Sequence, residues 1–147
     1  MRKVTATRYH DISCGHRVHD QGGKCENLHG HNYRIHFTIQ TTANGPVLDR
    51  IGRVLDFSVI KSVLCEWLEE NWDHKMLMWK KDPMALYLLD LDKTVVIVPF
   101  NPTAENMAMY LVEKIAPELF QQENIDCSLI ECTIDETRKC SATYYKG

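Results

Sequence analysis

Three histidines and a cysteine lie close together near the start of the chain: His16, Cys25, His29 and His31. His29 and His31 are two residues apart at the start of a strand-like run, and side chains two apart in an extended chain project from the same face. His16 ends an earlier strand-like run and could reach the same point. Three neutral imidazoles that leave a fourth position open are typical of a catalytic zinc site, so Zn²⁺ is the expected cofactor.

Cys25 has three possible roles beside such a site. It could complete the metal coordination, which would give a closed structural centre. It could instead stand over an open metal position as a thiolate base, because it follows Gly22, Gly23 and Lys24 and a nearby cation favours thiol reactivity. It could also be an inert loop thiol. The spacing alone leaves these alternatives open.

Two further places in the chain carry groups that could move or hold protons. Asp73 and His74 are adjacent, and a carboxylate that orients an imidazole is typical of proton transfer; a surface pair at a helix end, favoured by the helix dipole, is the alternative. Glu136 shares the parity of the apolar positions of its strand. A buried carboxylate there would need a ligand with two adjacent N–H donors, unless it lies at the solvated end of the strand.

Composition excludes several classes of function. The 147 residues predict one domain over residues 1–147. The net charge of −3, with no basic stripe, argues against a nucleic-acid partner, and no apolar run approaches the ~18 residues of a membrane span. The N-terminus lacks the apolar segment of a signal peptide and the cysteines form no Cys-x-x-Cys pair. A soluble, cytoplasmic protein with reduced thiols is therefore expected.

Alternation and helical spacing predict the elements that position these residues. Strands are predicted over residues 3–14 and 31–41, and the second shows a strict period of two. Helices are predicted from Asp56 to about Asn71 and from the candidate N-cap Thr103 to Pro117. Closing strands are predicted over residues 125–136 and 140–146, and residues 94–98 are a candidate for a short extra strand.

The resulting order is β-β-α-α-β-β. It predicts an α+β fold in which a four-stranded antiparallel sheet carries two helices on one face. Such a sheet has two exposed edges, and exposed edges favour pairing with other chains. A homo-oligomer is therefore expected.

Several motifs together resemble the 6-pyruvoyltetrahydropterin synthase/6-carboxytetrahydropterin synthase family. They occur in family order between about Tyr9 and Tyr145, and are Gly23-Lys24-Cys25, Leu28-His29-Gly30-His31-Asn32-Tyr33, Leu55-Asp56-Phe57, Trp72-Asp73-His74-Lys75, Asn101-Pro102-Thr103-Ala104-Glu105 and Asp135-Glu136-Thr137. The resemblance implies the tunnelling fold, or T-fold, and trimers stacked into hexamers. One departure is the run Ile12-Ser13-Cys14-Gly15-His16, where the family usually has an aromatic-x-Ala-x-His run.

The resemblance also implies a role for each residue. Catalytic zinc would be bound by His16, His29 and His31. The acid–base set would be the thiolate of Cys25 together with Asp73 and His74, the last two supplied across a subunit interface. The amidine edge of a pterin would be held by Glu136, with Thr103 and Glu105 helping to form the pocket.

The implied substrate is 7,8-dihydroneopterin triphosphate. Three residues separate Cys25 from His29, a spacing similar to that of the family members that make 6-carboxytetrahydropterin in the queuosine pathway with release of acetaldehyde and triphosphate. The pyruvoyl reaction, which eliminates triphosphate without side-chain cleavage, is the alternative. A second alternative, less favoured than the pyruvoyl reaction, is a non-enzymatic zinc-binding module with Cys25 as the fourth ligand. Lys24, Lys75 and Arg138 are candidates to neutralise the triphosphate.

Overall fold

The computed structural model describes residues 3–42 and 44–147. Met1 and Arg2, which begin the segment that argued against a signal peptide, lie outside the described residues, as does Ala43. Six strands form one sheet. They are β1 (Ala6–His16), β2 (His29–Thr41), β3 (Met76–Trp79), β4 (Val96–Val98), β5 (Cys127–Asp135) and β6 (Ser141–Tyr145).

The sheet is mixed, with the strand order β4-β3-β1-β2-β5-β6. The four predicted strands are consecutive and antiparallel, as β1-β2-β5-β6. The prediction of a four-stranded antiparallel sheet was nevertheless wrong, because β3 and β4 extend it in parallel beside β1. Strands of four and three residues are too short to show an alternating pattern in the sequence. Of the two, only β4 falls within the candidate run 94–98.

Two long helices and one short one complete the fold. Helix α1 covers residues 57–71, α2 is Ala85–Leu91, and α3 covers residues 104–122. Asp56 caps α1 by accepting a hydrogen bond from the backbone N–H of Ser58. Helix α3 does not end at Pro117 as predicted. A π-helical turn, Leu111–Ile115, ends two residues before the proline, and the altered hydrogen bonding of that turn accommodates the missing N–H and the ring.

A single apolar core lies between one face of the sheet and the two long helices. The alternation predicted for β2 is confirmed, because Tyr33, Ile35, Phe37 and Ile39 are fully buried. Each such side chain contributes about 1.5–3 kcal/mol when buried. The helices cover this face with residues that include Ile60, Leu64, Leu68, Met107 and Leu111. In the described part of the chain, no helix is long and apolar enough to cross a membrane.

Strands β1 and β2 form a hairpin, and the candidate site lies at the end of the hairpin that carries the connecting loop, residues 17–28. There the last residue of β1, His16, pairs with the first residue of β2, His29, and Cys14 pairs with His31. Strand β1 ends at His16, beyond the predicted end at residue 14, and β2 begins at His29, before the predicted start at residue 31. All three histidines therefore lie within strands.

Candidate metal centre and active site

The strand register brings the three histidines together on the face of the sheet that carries the core. One nitrogen from each of His16, His29 and His31 lies within 4.8 Å of the others. The Nε2 atoms of His16 and His29 are 3.0 Å apart. The grouping predicted from residue type and parity is thus present in a single chain.

Backbone carbonyl groups fix the orientation of two of these rings. Nδ1 of His16 donates to the carbonyl oxygen of Pro102 over 2.6 Å, and Nδ1 of His29 donates to that of Asn27 over 2.7 Å. A carbonyl oxygen only accepts, so Nδ1 must carry the hydrogen and Nε2 presents a lone pair. Two lone pairs that face one another repel unless a cation lies between them. Metal-bound histidines characteristically show this arrangement of the second nitrogen.

The third ring, of His31, has a buried nitrogen without a partner. Its Nε2 makes no hydrogen bond to any of the described residues and lies 3.8 Å from a carboxylate oxygen of Glu136. A buried polar atom left unsatisfied costs about 1–3 kcal/mol, which a bound metal ion would relieve. Burial lowers the pKa of both His16 and His31, and the neutral imidazole that results is the form that binds metal. Three imidazole nitrogens are a donor set that suits Zn²⁺.

Two glycines allow the hairpin to close tightly beside the histidines. Gly15 and Gly30 are directly opposite one another in the register. A Cβ on Gly30 would lie 3.1 Å from the carbonyl oxygen of Cys14, and one on Gly15 would lie 2.6 Å from the terminal carbon of Met76. A side chain at Gly15 would have to displace the end of the Met76 side chain, and one at Gly30 would press against the backbone of β1 beside the histidines.

The two nearby cysteines differ in environment. Cys14 is buried, and burial raises the pKa of its thiol to about 12, so this sulfur stays protonated and unreactive. Cys25 lies in a short 3₁₀ turn, Lys24–Glu26, and is partly exposed. The group of ligand atoms formed by the histidines does not include Cys25. The geometry therefore gives no support to Cys25 as a fourth ligand in this arrangement.

The loop that carries Cys25 is held in place from several sides. The carbonyl oxygen of Cys25 accepts a hydrogen bond from the backbone N–H of Val18 over 2.9 Å. The Asn101 side chain accepts from the N–H of His19 over 3.1 Å and donates to its carbonyl oxygen over 3.0 Å. Arg17 makes an ion pair with the buried Asp82. The sequence reasoning missed Arg17 and Asp82, since a lone charge outside any motif gives no signal.

The three histidines His16, His29 and His31 are called the metal group below. The start of α3 lies against this group, because the carbonyl oxygen of Pro102 accepts the hydrogen bond from His16. Thr103 is the N-cap of this helix, as predicted, and its hydroxyl oxygen accepts from the N–H of Asn106 over 3.1 Å. Glu105 is exposed in the first turn. Thr103 and Glu105 thus follow closely in sequence on Pro102, whose carbonyl oxygen contacts His16.

Glu136 lies just beyond the end of β5, so the structure favours the predicted strand-end position over a fully buried one. Its side chain is 25% exposed and faces His31. Among the described residues, His31 is its only ion-pair partner. Its carboxylate is therefore available to a ligand immediately beside the histidines.

Asp73 and His74 form the predicted pair but do not join the histidine group within this chain. Nδ1 of His74 lies 2.8 Å from Oδ2 of Asp73, and the N–H of Ser13 donates to Oδ1 over 2.9 Å. Burial raises the pKa of Asp73, but these hydrogen bonds outweigh it and the net shift is downward. The carboxylate is thus ionised and orients the ring. The His74 side chain is 78% exposed.

The candidate cations lie in different surroundings. Lys24 is exposed beside Cys25. Lys75 lines a surface depression of about 490 Å³ together with His74 and the backbone at Gly15 and Gly30. Arg138 lines a neighbouring depression of about 630 Å³ together with Asp73.

Several known proteins have sequences and folds similar to those of this chain. Residues 5–147 match the family model described as 6-pyruvoyl tetrahydropterin synthase. The chain is 31% identical over 139 residues to 6-carboxy-5,6,7,8-tetrahydropterin synthase of Rickettsia typhi, covering 93% of this chain and 96% of the relative. It is 30% identical over 149 residues to 6-pyruvoyl tetrahydrobiopterin synthase of Drosophila melanogaster, covering 94% and 77%.

A solved structure supports the same assignment. The 6-pyruvoyl tetrahydropterin synthase of Caenorhabditis elegans superimposes with a TM-score of 0.67 at 26% identity, covering 100% of this chain and 98% of the other. The matches extend over nearly the whole chain. This chain belongs to the 6-pyruvoyl tetrahydropterin synthase family.

Proposed function

We propose that this protein is a zinc-dependent 6-carboxy-5,6,7,8-tetrahydropterin synthase, with residues 1–147 as one catalytic domain. It converts 7,8-dihydroneopterin triphosphate to the 6-carboxy pterin and releases acetaldehyde and triphosphate. The observation that carries the proposal is the group of three histidines whose ligand nitrogens lie within 4.8 Å of one another, with the carboxylate of Glu136 3.8 Å from His31. The relative from Rickettsia typhi bears the same name.

The three histidines would hold the metal through one nitrogen each. When bound, Zn²⁺ supplies Lewis-acid chemistry that lowers the pKa of the hydroxyl groups on the substrate side chain. The carbonyl groups of Pro102 and Asn27 keep two of the rings in position before the metal arrives. This preorganisation reduces the cost of assembling the site.

Glu136 would anchor the pterin ring. Its carboxylate can accept two parallel hydrogen bonds from adjacent N–H groups, a bidentate contact that fixes orientation as well as position. Thr103 and Glu105, at the start of α3, would line the same pocket. Holding the ring fixes the side chain of the substrate next to the histidines, and orientation of this kind can supply a large part of catalysis.

Cys25 would remove the carbon-bound proton, and the Asp73–His74 pair would return protons to the reacting side chain. Cys14 is unsuited to the first task because its buried thiol stays protonated. Neither Asp73 nor His74 belongs to the group of ligand atoms formed by the three histidines of its own chain, which supports the use of the pair in the site of a neighbouring subunit. A dimer of trimers would supply that neighbour.

Lys24, Lys75 and Arg138 are the proposed partners of the triphosphate. A substrate with this many negative charges needs local cations, because the whole chain carries a net charge of −3. Lys24 is adjacent to Cys25, and the other two line the depressions beside His74.

The second candidate function is the pyruvoyl reaction at the same site, and the relatives from Drosophila melanogaster and Caenorhabditis elegans favour it by name. The short spacing between Cys25 and His29 favours the carboxy reaction. A structural zinc module is less well supported, since Cys25 is absent from the group of ligand atoms and such a module leaves Glu136 without a role.

Product identification tests the proposal. Purified protein loaded with zinc is incubated with 7,8-dihydroneopterin triphosphate, and the products are analysed by mass spectrometry. The expected products are a 6-carboxy pterin and acetaldehyde. A pyruvoyl pterin would assign the chain to the other reaction, and an unchanged substrate in the presence of bound zinc would contradict the enzymatic function. The Glu136→Ala variant is the control, and it should retain zinc while losing substrate affinity.

A further inference from the structure

Charged side chains connect the loop that carries Cys25, residues 17–28, to the turn before α2. Arg17, the first residue of this Cys25 loop, lies between two carboxylates. Its Nη1 donates to Oδ1 of Asp82 over 2.5 Å, and its Nη2 lies 3.7 Å from Oε2 of Glu26. Glu26 directly follows Cys25 in the chain. One guanidinium group therefore contacts both the turn before α2 and the residue beside the proposed base.

Asp82 is the fixed end of this connection. Its side chain is completely buried, its Oδ1 also accepts from the backbone N–H of Met84 over 2.9 Å, and its own N–H donates to the carbonyl oxygen of Trp79 over 2.8 Å. A buried carboxylate is costly unless it faces a cation. Among the described residues, Arg17 is its only ion-pair partner. Arg17 therefore cannot move away without isolating a buried charge.

Glu26 closes the loop at the other end. Its Oε2 accepts a hydrogen bond from the backbone N–H of Asp20 over 2.8 Å. Asp20 has a positive φ of 64°, an uncommon conformation for a residue other than glycine that surrounding contacts help to maintain. The side chains of Arg17 and Glu26 are 14% and 29% exposed, so solvent ions screen their attraction less than that of a surface pair. Glu26 thus joins the two ends of the loop beside Cys25.

The other contacts of the loop do not replace this one. Nε2 of His19 lies 3.5 Å from Oδ2 of Asp20, but both residues belong to the loop and cannot tie it to the rest of the protein. Asn101 does tie the loop to the rest of the protein, through the backbone of His19. The contact of Arg17 with Glu26 is the one that acts on the residue next to Cys25.

We propose that Arg17 and Glu26 are positioning residues for Cys25: Asp82 holds Arg17, and Arg17 holds Glu26, so that the neighbouring thiol keeps one position relative to the histidines. Arginine suits this task because its two terminal nitrogens can each serve a different carboxylate, whereas the ammonium group of lysine is a single point charge. The inference rests on the role proposed for Cys25 only where turnover is measured.

Alkylation by iodoacetamide reports the accessibility of the Cys25 thiol in the absence of substrate. Cys140 is the one fully exposed cysteine and the four others are buried, so every protein carries the Cys140→Ser substitution. Glu26→Ala removes the hydrogen bond to Asp20 and the ion pair to Arg17. We expect alkylation of Cys25 to become about tenfold faster, as the loss of contacts of this strength allows.

Two milder variants remove the ion pair alone. Glu26→Gln can still accept from Asp20, and Arg17→Lys keeps the positive charge that the buried Asp82 needs for folding. Each should accelerate alkylation of Cys25 about threefold, because an ion pair of this kind contributes little more. Glu118→Gln removes the charge from an exposed ion pair of α3. It is the matched control and should leave the rate unchanged.

The double variant distinguishes one shared contact from two independent effects. If Arg17 and Glu26 act through each other, Arg17→Lys combined with Glu26→Gln should be alkylated no faster than either single variant. Rates that multiply in the double variant would show that the two residues act separately and would overturn the inference. An unchanged rate in Glu26→Ala would overturn it as well.

Kinetics distinguish positioning from a general loss of structure. Glu26→Ala should lower kcat about tenfold, less than the ~10²-fold that a misplacement of 1 Å can cause. KM and zinc content should stay unchanged, because Glu26 belongs to neither the metal group nor the proposed pterin pocket. Glu26→Gln should recover most of kcat. Loss of zinc in parallel with kcat would place the effect on the metal and contradict the inference. An inactive wild type would contradict the proposed function, whereas the alkylation rates would still test the contact.

Discussion

The metal group and the Asp73–His74 pair are held by contrasting means. The three histidines lie within paired strands, on the face that carries the core, and backbone carbonyl groups orient two of their rings. Asp73 and His74 lie in the turn after α1, and the His74 ring is 78% exposed. Rigid strand register thus completes one half of the site within a single chain, whereas the other half is presented outward.

This contrast separates two kinds of residue. An imidazole that binds metal must be neutral and oriented, and in the hairpin backbone hydrogen bonds orient His16 and His29. A side chain that exchanges protons with substrate benefits from access, which the exposed turn provides. Variants in the two regions should therefore fail in different ways.

The largest effect is expected from loss of a metal ligand. His16→Ala should abolish both stoichiometric zinc binding and turnover, because the ring that faces His29 is removed. His74→Ala should retain zinc at one equivalent per chain and lose turnover only. Metal analysis of both proteins after dialysis is the measurement. Equal loss of zinc in the two variants would remove the distinction between the regions.

The next effect concerns the two thiols. Cys25→Ala should keep zinc and lower kcat by about 10²–10⁴-fold, the range typical of general acid–base catalysis. Cys14→Ser should stay within a few-fold of the wild type, because its thiol is buried and protonated. Zinc content and kcat of both variants test this prediction. Loss of zinc in Cys25→Ala would instead support a structural metal site.

A smaller effect is expected from the contact that holds the Cys25 loop. Asn101→Ala removes two hydrogen bonds to the backbone of His19, each worth about 0.5–1.5 kcal/mol. We expect a roughly tenfold decrease in kcat with zinc retained, since the loop moves away from the metal group without disturbing the hairpin. A hydrogen-exchange measurement should show faster exchange confined to residues 17–27. Unchanged exchange there would exclude the loop as the cause.

The smallest expected effect is on the pH dependence of the stability of the fold. Burial lowers the pKa of His16 and His31 below 6.5 in the folded, metal-free protein. The unfolded chain then binds more protons below about pH 6.5 than the folded chain, so stability falls as the pH is lowered. Thermal unfolding at pH 7.5 and 5.5 should show this decrease for the metal-free protein, and replacement of both histidines by glutamine should reduce it. An equal decrease in that double variant would assign the effect to other groups.

Much of the hairpin and its chemistry could be predicted from the sequence. A strict alternation in β2 determines which face is buried, and the same parity places His29 and His31 together. Residue type then suggests the metal. The Asp73–His74 dipeptide and the strand-end position of Glu136 could be picked out from the sequence, but the surroundings of these residues could not.

The errors have physical causes. Strands β3 and β4 are too short to show a period. The place of β3 in the sheet depends on pairing with β1, which is distant in sequence, and β4 pairs with β3. Pro117 indicated a helix end, but a π-helical turn accommodates it. Arg17 and Asp82 are 65 residues apart, and no local pattern links an isolated arginine at the end of a strand to an aspartate in a distant turn.

Mixed oligomers test most directly the claim that one chain completes the metal group but not the acid–base set. Inactive Cys25→Ala and inactive His74→Ala proteins are unfolded together, refolded together with zinc, and assayed for the 6-carboxy pterin. Sites at which one chain supplies Cys25 and its neighbour supplies His74 should regain activity, to a fraction set by random mixing. The control is each variant refolded alone. If the mixture stays as inactive as its components although mixed oligomers form, both groups act within one chain and the account is contradicted.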